Sequence, residues 1–142
     1  MTIVSELLKA TDGQFPAQAC LISIRPEFVQ KIYSANKRFE FRKRSPKHGG
    51  LFLIYETSPV QRVTGCFFSS KTIAMEPKAL WDCCSEFSGI ERERFFDYFK
   101  GVSKGCGIVI DRAMRFSEPY QLSALGQDVS VPQSFSYVSL RG

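Results

Sequence analysis

A chain of 142 residues, 44% apolar and 13% aromatic, has enough side chain for one packed core and is short for two. Its formal charge of +5 makes a neutral or anionic partner the expectation, and no run nears the roughly 18 apolar residues of a membrane helix, so no partner membrane is expected. Five cysteines with no C-x-x-C pair, and His48 as the single histidine, exclude a zinc site of the usual kind; the thiols read as small buried hydrophobes of a cytoplasmic protein, and no metal or cofactor is expected.

In chain order, Ile3, Val4, Leu7 and Leu8 lie at the spacing of one helical face, so residues 2–10 form a helix ended by the turn chemistry of Thr11, Asp12 and Gly13. The dense apolar run 19–24 is a buried strand, and Pro26 suits the first turn of a helix over 26–36 packed through Phe28, Val29, Ile32 and Tyr33, with Asn36 at its end. Residues 37–44 alternate as a half-buried strand does, Phe39 and Phe41 to one side, Arg38, Glu40, Arg42 and Arg44 to the other. A turn at Gly49 and Gly50 leads to a buried strand over 51–56, Pro59 sets the next turn, and 63–75 reads as one long strand with Gly65 marking a bulge. Helices follow over 78–87 and 91–101, the second stopped at Gly101, then a strand over 105–116, a strand or loop over 118–125, and a last strand over 132–138.

About six strands and three or four helices, without the regular alternation that builds a parallel sheet, give an α+β fold, a mixed β-barrel flanked by helices. Residues 1–142 read as one domain, with a helical extension over 1–15 and a core over 19–139.

Charge is unevenly spread: residues 25–71 carry ten Lys or Arg against three Glu, while 72–101 carry four against six acidic residues. The strand 37–44 is therefore either a solvated charged face or the floor of an anion site. A carboxylate between guanidinium groups is held ionised, yet an exposed pair of this kind stabilises by only about 0–1 kcal/mol. Tyr55, Thr57 and Ser58 at the end of one buried strand, with Gln133 and Ser134 before the last strand, place polar groups where barrels carry binding side chains; the same residues are also ordinary turn chemistry. His48, beside Lys47 and two glycines, reads as a solvated turn residue, and the aromatic run 95–99 reads as core. No phosphate-loop, zinc-protease or serine-hydrolase motif occurs. The acidic helices over 78–100 are the expected surface for a protein partner.

The block LISIRPEFVQKIYSANKRFEFRKR resembles the ASCH domain family, whose members fold as PUA-like β-barrels. The family pattern is roughly Gly-x-Lys-x-x-Glu-x-Arg; Lys37, Glu40 and Arg42 stand at its charged positions, with Ala35 where glycine is usual. YETSPV, VTGCF, WDCCSEFSGIERERFFDYFKG and PQSFSYV extend the resemblance in order through residues 19–139. It implies a cleft between the barrel and helix 26–36, holding RNA or a nucleotide-like ligand, in a protein linked to RNA metabolism or to regulation of transcription or translation. Its expected lining is Arg25, Lys37, Glu40, Arg42, Tyr55, Thr57, Ser58, Gln133 and Ser134. Arg25, Lys37 and Arg42 would hold a phosphate, and Tyr55 would offer a ring to a base. As an enzyme the chain would be a hydrolase, either of acetylcytidine, as in relatives that carry threonine where this chain has Glu40, or of RNA. Lys37, if burial lowers its pKa, would then serve as base or activator, with Glu40 as proton shuttle.

Overall fold

The computed structural model describes residues 2–47 and 49–140, so the reading of His48 lies outside the described residues. Its strands are β1 (Gln18–Ile24), β2 (Phe39–Arg42), β3 (Gly50–Glu56), β4 (Arg62–Ser69), β5 (Thr72–Met75), β6 (Gly105–Val109), β7 (Arg112–Tyr120) and β8 (Phe135–Ser139). Its helices are α1 (Ile3–Ala10), α2 (Pro26–Tyr33), α3 (Pro77–Cys84) and α4 (Arg92–Tyr98). A five-stranded sheet runs β7-β4-β3-β1-β8 and is mixed, because β1 and β3 are parallel; a three-stranded antiparallel sheet runs β2-β6-β5.

The α+β class expected from the sequence is present, with eight strands in two sheets where about six strands in one barrel were expected. The extra strands arise at one corner. The runs 63–75 and 105–116 each divide in two, the first crossing to the small sheet as β5 and the second returning to the large one as β7. Asp111 N–H donates to Phe68 O (2.9 Å), Ser70 N–H donates to Asp111 Oδ2 (2.5 Å), and Val109 N–H donates to Lys71 O (3.1 Å), so both runs bend against each other. Gly65 does sit at a register shift, and the Tyr33 hydroxyl and Met114 carbonyl come so close that a Cβ has no room there.

The inner strands β1 and β3 of the large sheet are buried on both faces, which is why 19–24 and 51–56 are near-continuous apolar runs. Alternation then divides their side chains. Cys20, Ile22, Ile24, Phe52 and Ile54 pack toward α2 and β6, while Leu21, Leu51, Leu53 and Tyr55 pack beneath α1. On the small sheet, Phe41 meets Leu80, Cys84, Phe95 and Phe99 from α3 and α4.

Two helix details differ from expectation. The buried face of α1 is Ile3, Glu6, Leu7 and Ala10, and Val4 and Leu8 are exposed. Glu6 sets that rotation: its Oε2 accepts from Ser117 N–H (2.8 Å), Ser117 Oγ (2.6 Å) and the Tyr120 hydroxyl (3.0 Å), all on β7. Burial disfavours its ionised form, but these hydrogen bonds and nearby Lys9 outweigh burial and hold the carboxyl below its ordinary value of 4.5. Helix α2 ends at Tyr33 in a Schellman turn, with Asn36 N–H donating to Lys31 O (2.9 Å) and Ala35 N–H to Ile32 O (3.1 Å). Ala35 takes the left-handed position at φ +64, a conformation that costs a non-glycine residue about 1–2 kcal/mol.

All five cysteines are unpaired; four are buried as expected, while Cys83 on α3 faces solvent. No helix among the described residues is long and apolar enough to cross a membrane.

Because a depressed carboxyl stabilises the fold only while ionised, the urea midpoints of wild type and Glu6→Gln should differ most near neutral pH. They should converge as pH falls below 4.5 through the folded-state value. A difference that ignores pH would mean that something other than this carboxylate holds α1.

Candidate functional site

The parallel strands β1 and β3 end side by side, with Ile24 opposite Glu56. Beside these ends β2, the start of α2, α4 and the segment before β8 enclose a cleft of about 490 Å³. Ser23, Ile24 and Arg25 line it from the end of β1, Phe28 from α2, and Lys37, Glu40, Phe41 and Arg42 from β2 and its approach. Thr57, Ile90, Gln133 and the α4 residues Arg94, Asp97 and Tyr98 complete the wall.

Glu40 and Arg42 share one face of β2, with Oε2 and Nη2 3.4 Å apart. Glu40 is only 6% exposed, so this face is a buried floor rather than a solvated surface. Glu40 Oε1 accepts from Phe41 N–H (3.2 Å) and lies 3.9 Å from Lys37 Nζ. Arg42 donates to the Ser23 carbonyl (3.0 Å) and to Ser134 Oγ (3.3 Å), and Ser23 Oγ donates to Pro132 O (2.7 Å). One guanidinium therefore ties the small sheet to β1 and to the entry of β8. Glu40 Oε2 and Arg42 Nε are buried without a hydrogen-bond partner among the described residues. A buried acceptor or donor left so costs about 1–3 kcal/mol, which makes this pair the natural docking point for a group that can both donate and accept.

Lys37 is 2% exposed. Its Nζ donates to the Ser88 carbonyl (2.6 Å) and lies 5.2 and 4.9 Å from the ring centroids of Phe28 and Phe41. Burial lowers its pKa from the ordinary 10.5; Glu40 opposes this, and Arg42 and Lys31 add to it. The segment that covers Lys37 is itself anchored: Arg38 N–H donates to Phe87 O (2.8 Å) and Lys31 Nζ to Gly89 O (3.0 Å). Gly89 has φ +67, and a Cβ there would stand 2.6 Å from the Lys37 stem. On the opposite wall Arg94 holds Glu27 through two bonds (2.9 and 3.1 Å) and lies 5.0 Å from the Phe28 ring centroid, which joins α4 to α2.

Of the residues expected at the cleft, Arg25, Lys37, Glu40, Arg42, Thr57 and Gln133 line it, and Ser134 stands behind them as a partner of Arg42. Tyr55 does not: the alternation of β3 sends it beneath α1 among Leu53 and Val63, so its expected stacking role is withdrawn. Ser58 is exposed in the turn after β3 and is not part of the lining. Arg38, expected on the Glu40 face, instead lays its guanidinium 4.1 Å over the ring of Phe87. Tyr98, read as core with its neighbours, faces the cleft, because α4 buries Phe95 and Phe99 on its other side. The spacing of Arg94, Asp97 and Tyr98 is that of one helical face and would have found this wall. No local pattern pointed to Ser88 or Gly89. Among the described residues no group of three or more His, Cys, Asp or Glu side chains is placed to hold a metal ion.

No protein-family model matches the chain. It is similar to the ASCH domain-containing ribonuclease of Zymomonas mobilis, 27% identical over 122 residues that make up 83% of this chain and 82% of that one. The crystal structure of the ASCH protein from Zymomonas mobilis matches with a TM-score of 0.78 at 26% identity, over 84% of this chain and 87% of the other. Large ribosomal subunit protein uL22 of Ureaplasma parvum is also similar, 26% identical over 85% of this chain but 39% of its own length.

Gly89→Ala should cost about 2–4 kcal/mol in urea unfolding, from the left-handed backbone and the crowding of Lys37. Gly49→Ala, whose added Cβ has Ser69 O 3.8 Å away as its neighbour, should cost far less. Equal small losses would mean that the segment 88–89 does not clamp Lys37.

Proposed function

We propose that this chain, which is an ASCH-domain protein, acts on RNA by seating a phosphate and its nucleotide in the cleft at the ends of β1 and β3. The observation that carries the reading is the row of buried Lys37 and Glu40 with half-buried Arg42 at the floor of a cleft whose rim adds Arg25 and Arg94. A phosphate oxygen can accept from Arg42 Nε, and a ribose 2′-hydroxyl can donate to Glu40 Oε2, which would engage the two unpartnered buried atoms. The 2′-hydroxyl contact is the one that distinguishes RNA from DNA. The unpaired thiols suit a reducing compartment, the cytoplasm.

A second reading, cleavage of the bound RNA, is favoured by Lys37 itself. Its pKa is lowered by burial, which makes the ammonium a readier proton donor near neutral pH, and it stands 3.9 Å from a carboxylate. Glu40 would take the proton of the 2′-hydroxyl as that oxygen attacks phosphorus, forming the P–O2′ bond while the P–O5′ bond breaks. Lys37 would give its proton to the departing 5′-oxygen, and Arg42 would stabilise the charge on the phosphorane. The products are a 2′,3′-cyclic phosphate and a 5′-hydroxyl, and a proton passed from Glu40 to Lys37 restores the site. The relative in Zymomonas mobilis is named a ribonuclease, which accords with this chemistry.

Fluorescence anisotropy with matched RNA and DNA strands tests the first reading. RNA binding should weaken as salt rises, exceed DNA binding, and fall at least about tenfold in a Lys37→Met, Arg42→Met double variant, the equivalent of about 1.4 kcal/mol. Full affinity in that variant would overturn it. For cleavage, a strand with a single 2′-deoxy nucleotide should resist cutting at that position. The rate should fall as pH rises through the depressed pKa of Lys37, below 10.5. Equal cutting at the deoxy position would remove the mechanism.

A further inference from the structure

We infer that the ligand is one part of a longer single-stranded RNA, whose continuation leaves the cleft over a cationic and aromatic strip formed by Lys43, Arg44, Lys47, Tyr98 and Phe135. This inference rests on the RNA reading of the cleft and extends it to a surface outside the cleft.

The strip begins where the floor ends. Arg42 is the last residue of β2, and the exposed Lys43 and Arg44 follow it directly. Their side chains part to the two flanks. Lys43 Nζ lies 5.1 Å from the ring centroid of Tyr98, and the Arg44 guanidinium lies 4.6 Å from that of Phe135. Both flanks are continuous with the cleft: Tyr98 lines it, and Phe135 follows Ser134, which bonds Arg42. The far end is pinned by a hydrogen bond from Lys47 N–H to the Tyr137 hydroxyl (2.5 Å) on β8.

The chemistry of the strip fits a strand rather than a lone nucleotide. Among the described residues none of the three ion pairs involves Lys43, Arg44 or Lys47, so these cations keep their charge for a partner that approaches from solvent. Tyr98 is 39% exposed and offers a ring edge and face. Phe135 is buried, and the exposed Arg44 beside it presents a planar guanidinium on which a base can stack. Cations for phosphates beside planar groups for unpaired bases are the elements of a single-strand track. None of the three cations lines the cleft itself.

The test compares a nucleoside 3′-phosphate with oligouridylates of increasing length, bound to wild type, to a Lys43→Gln, Arg44→Gln variant and to Arg42→Met, over a range of salt. Affinity should rise with length. The strip variant should flatten the slope of log affinity against log salt by about 1.4 for long strands, at about 0.7 per cation, and leave the mononucleotide unaffected. Equal affinity for all lengths, with an unchanged slope in the strip variant while Arg42→Met still abolishes binding, overturns the strip and keeps the cleft. Unchanged binding of every ligand by Arg42→Met overturns the cleft reading and the strip with it.

Discussion

An ammonium group withdrawn from water is tolerated only when carbonyls, carboxylates or ring faces replace its hydration, and Lys37 imposes that demand on everything around it. Its charge is met by the Ser88 carbonyl from one side, the rings of Phe28 and Phe41 from two others, and the Glu40 carboxylate across 3.9 Å. These groups come from three separate parts of the chain: α2, β2 and the segment 88–89. The Schellman turn at Ala35 brings the chain off α2 so that Lys37 enters beneath the segment 88–89, and Gly89 leaves space for its stem. A cleft built around such a residue is held to one geometry, because loosening any wall leaves a buried charge uncompensated.

The second constraint is the corner at Asp111, where two long runs of chain leave one sheet for the other. It allows β2 to lie on the small sheet while β1 and β3 end on the large one, with the cleft between them. Arg42 spans that division, bonding the Ser23 carbonyl and Ser134 while its Nε remains available. Structural tie and candidate ligand group are thus the same side chain, which couples the order of the site to the packing of the sheets.

Charge follows the same logic. The basic excess of residues 25–71 is concentrated just before β2 and in the loop after it, where Lys37, Arg38, Lys43, Arg44 and Lys47 stand, and the more acidic segment 72–101 contributes one wall through α4. Asp97 and the Glu27–Arg94 pair keep that wall from being uniformly cationic. The densest run of basic residues therefore flanks β2, and in the RNA reading it is the side on which an extended polyanion would run.

The periodic patterns of the sequence were enough to place most elements, since alternation in 37–44 and the dense runs 19–24 and 51–56 are local properties of the chain. They also brought out Lys37, Glu40 and Arg42 as a charged row, and Ala35 as an alanine where the family pattern has glycine. Sequence alone could not say that the row is buried, because burial depends on α4 and the segment 88–89, roughly fifty residues away. It likewise could not phase Tyr55, since a strand covered on both faces has no polar side to mark the orientation of its alternation. Glu6 fell outside the expected face of α1 because a polar residue on a helix face reads as solvated until tertiary packing supplies its partners. Tyr98 erred in the other direction: within a run of aromatics it reads as core, and only the seating of α4 through Phe95 and Phe99 leaves it facing the cleft. Residue types and spacing determined which chemistry this protein carries; only the meeting of distant segments decided which of those groups are buried together and made into a site.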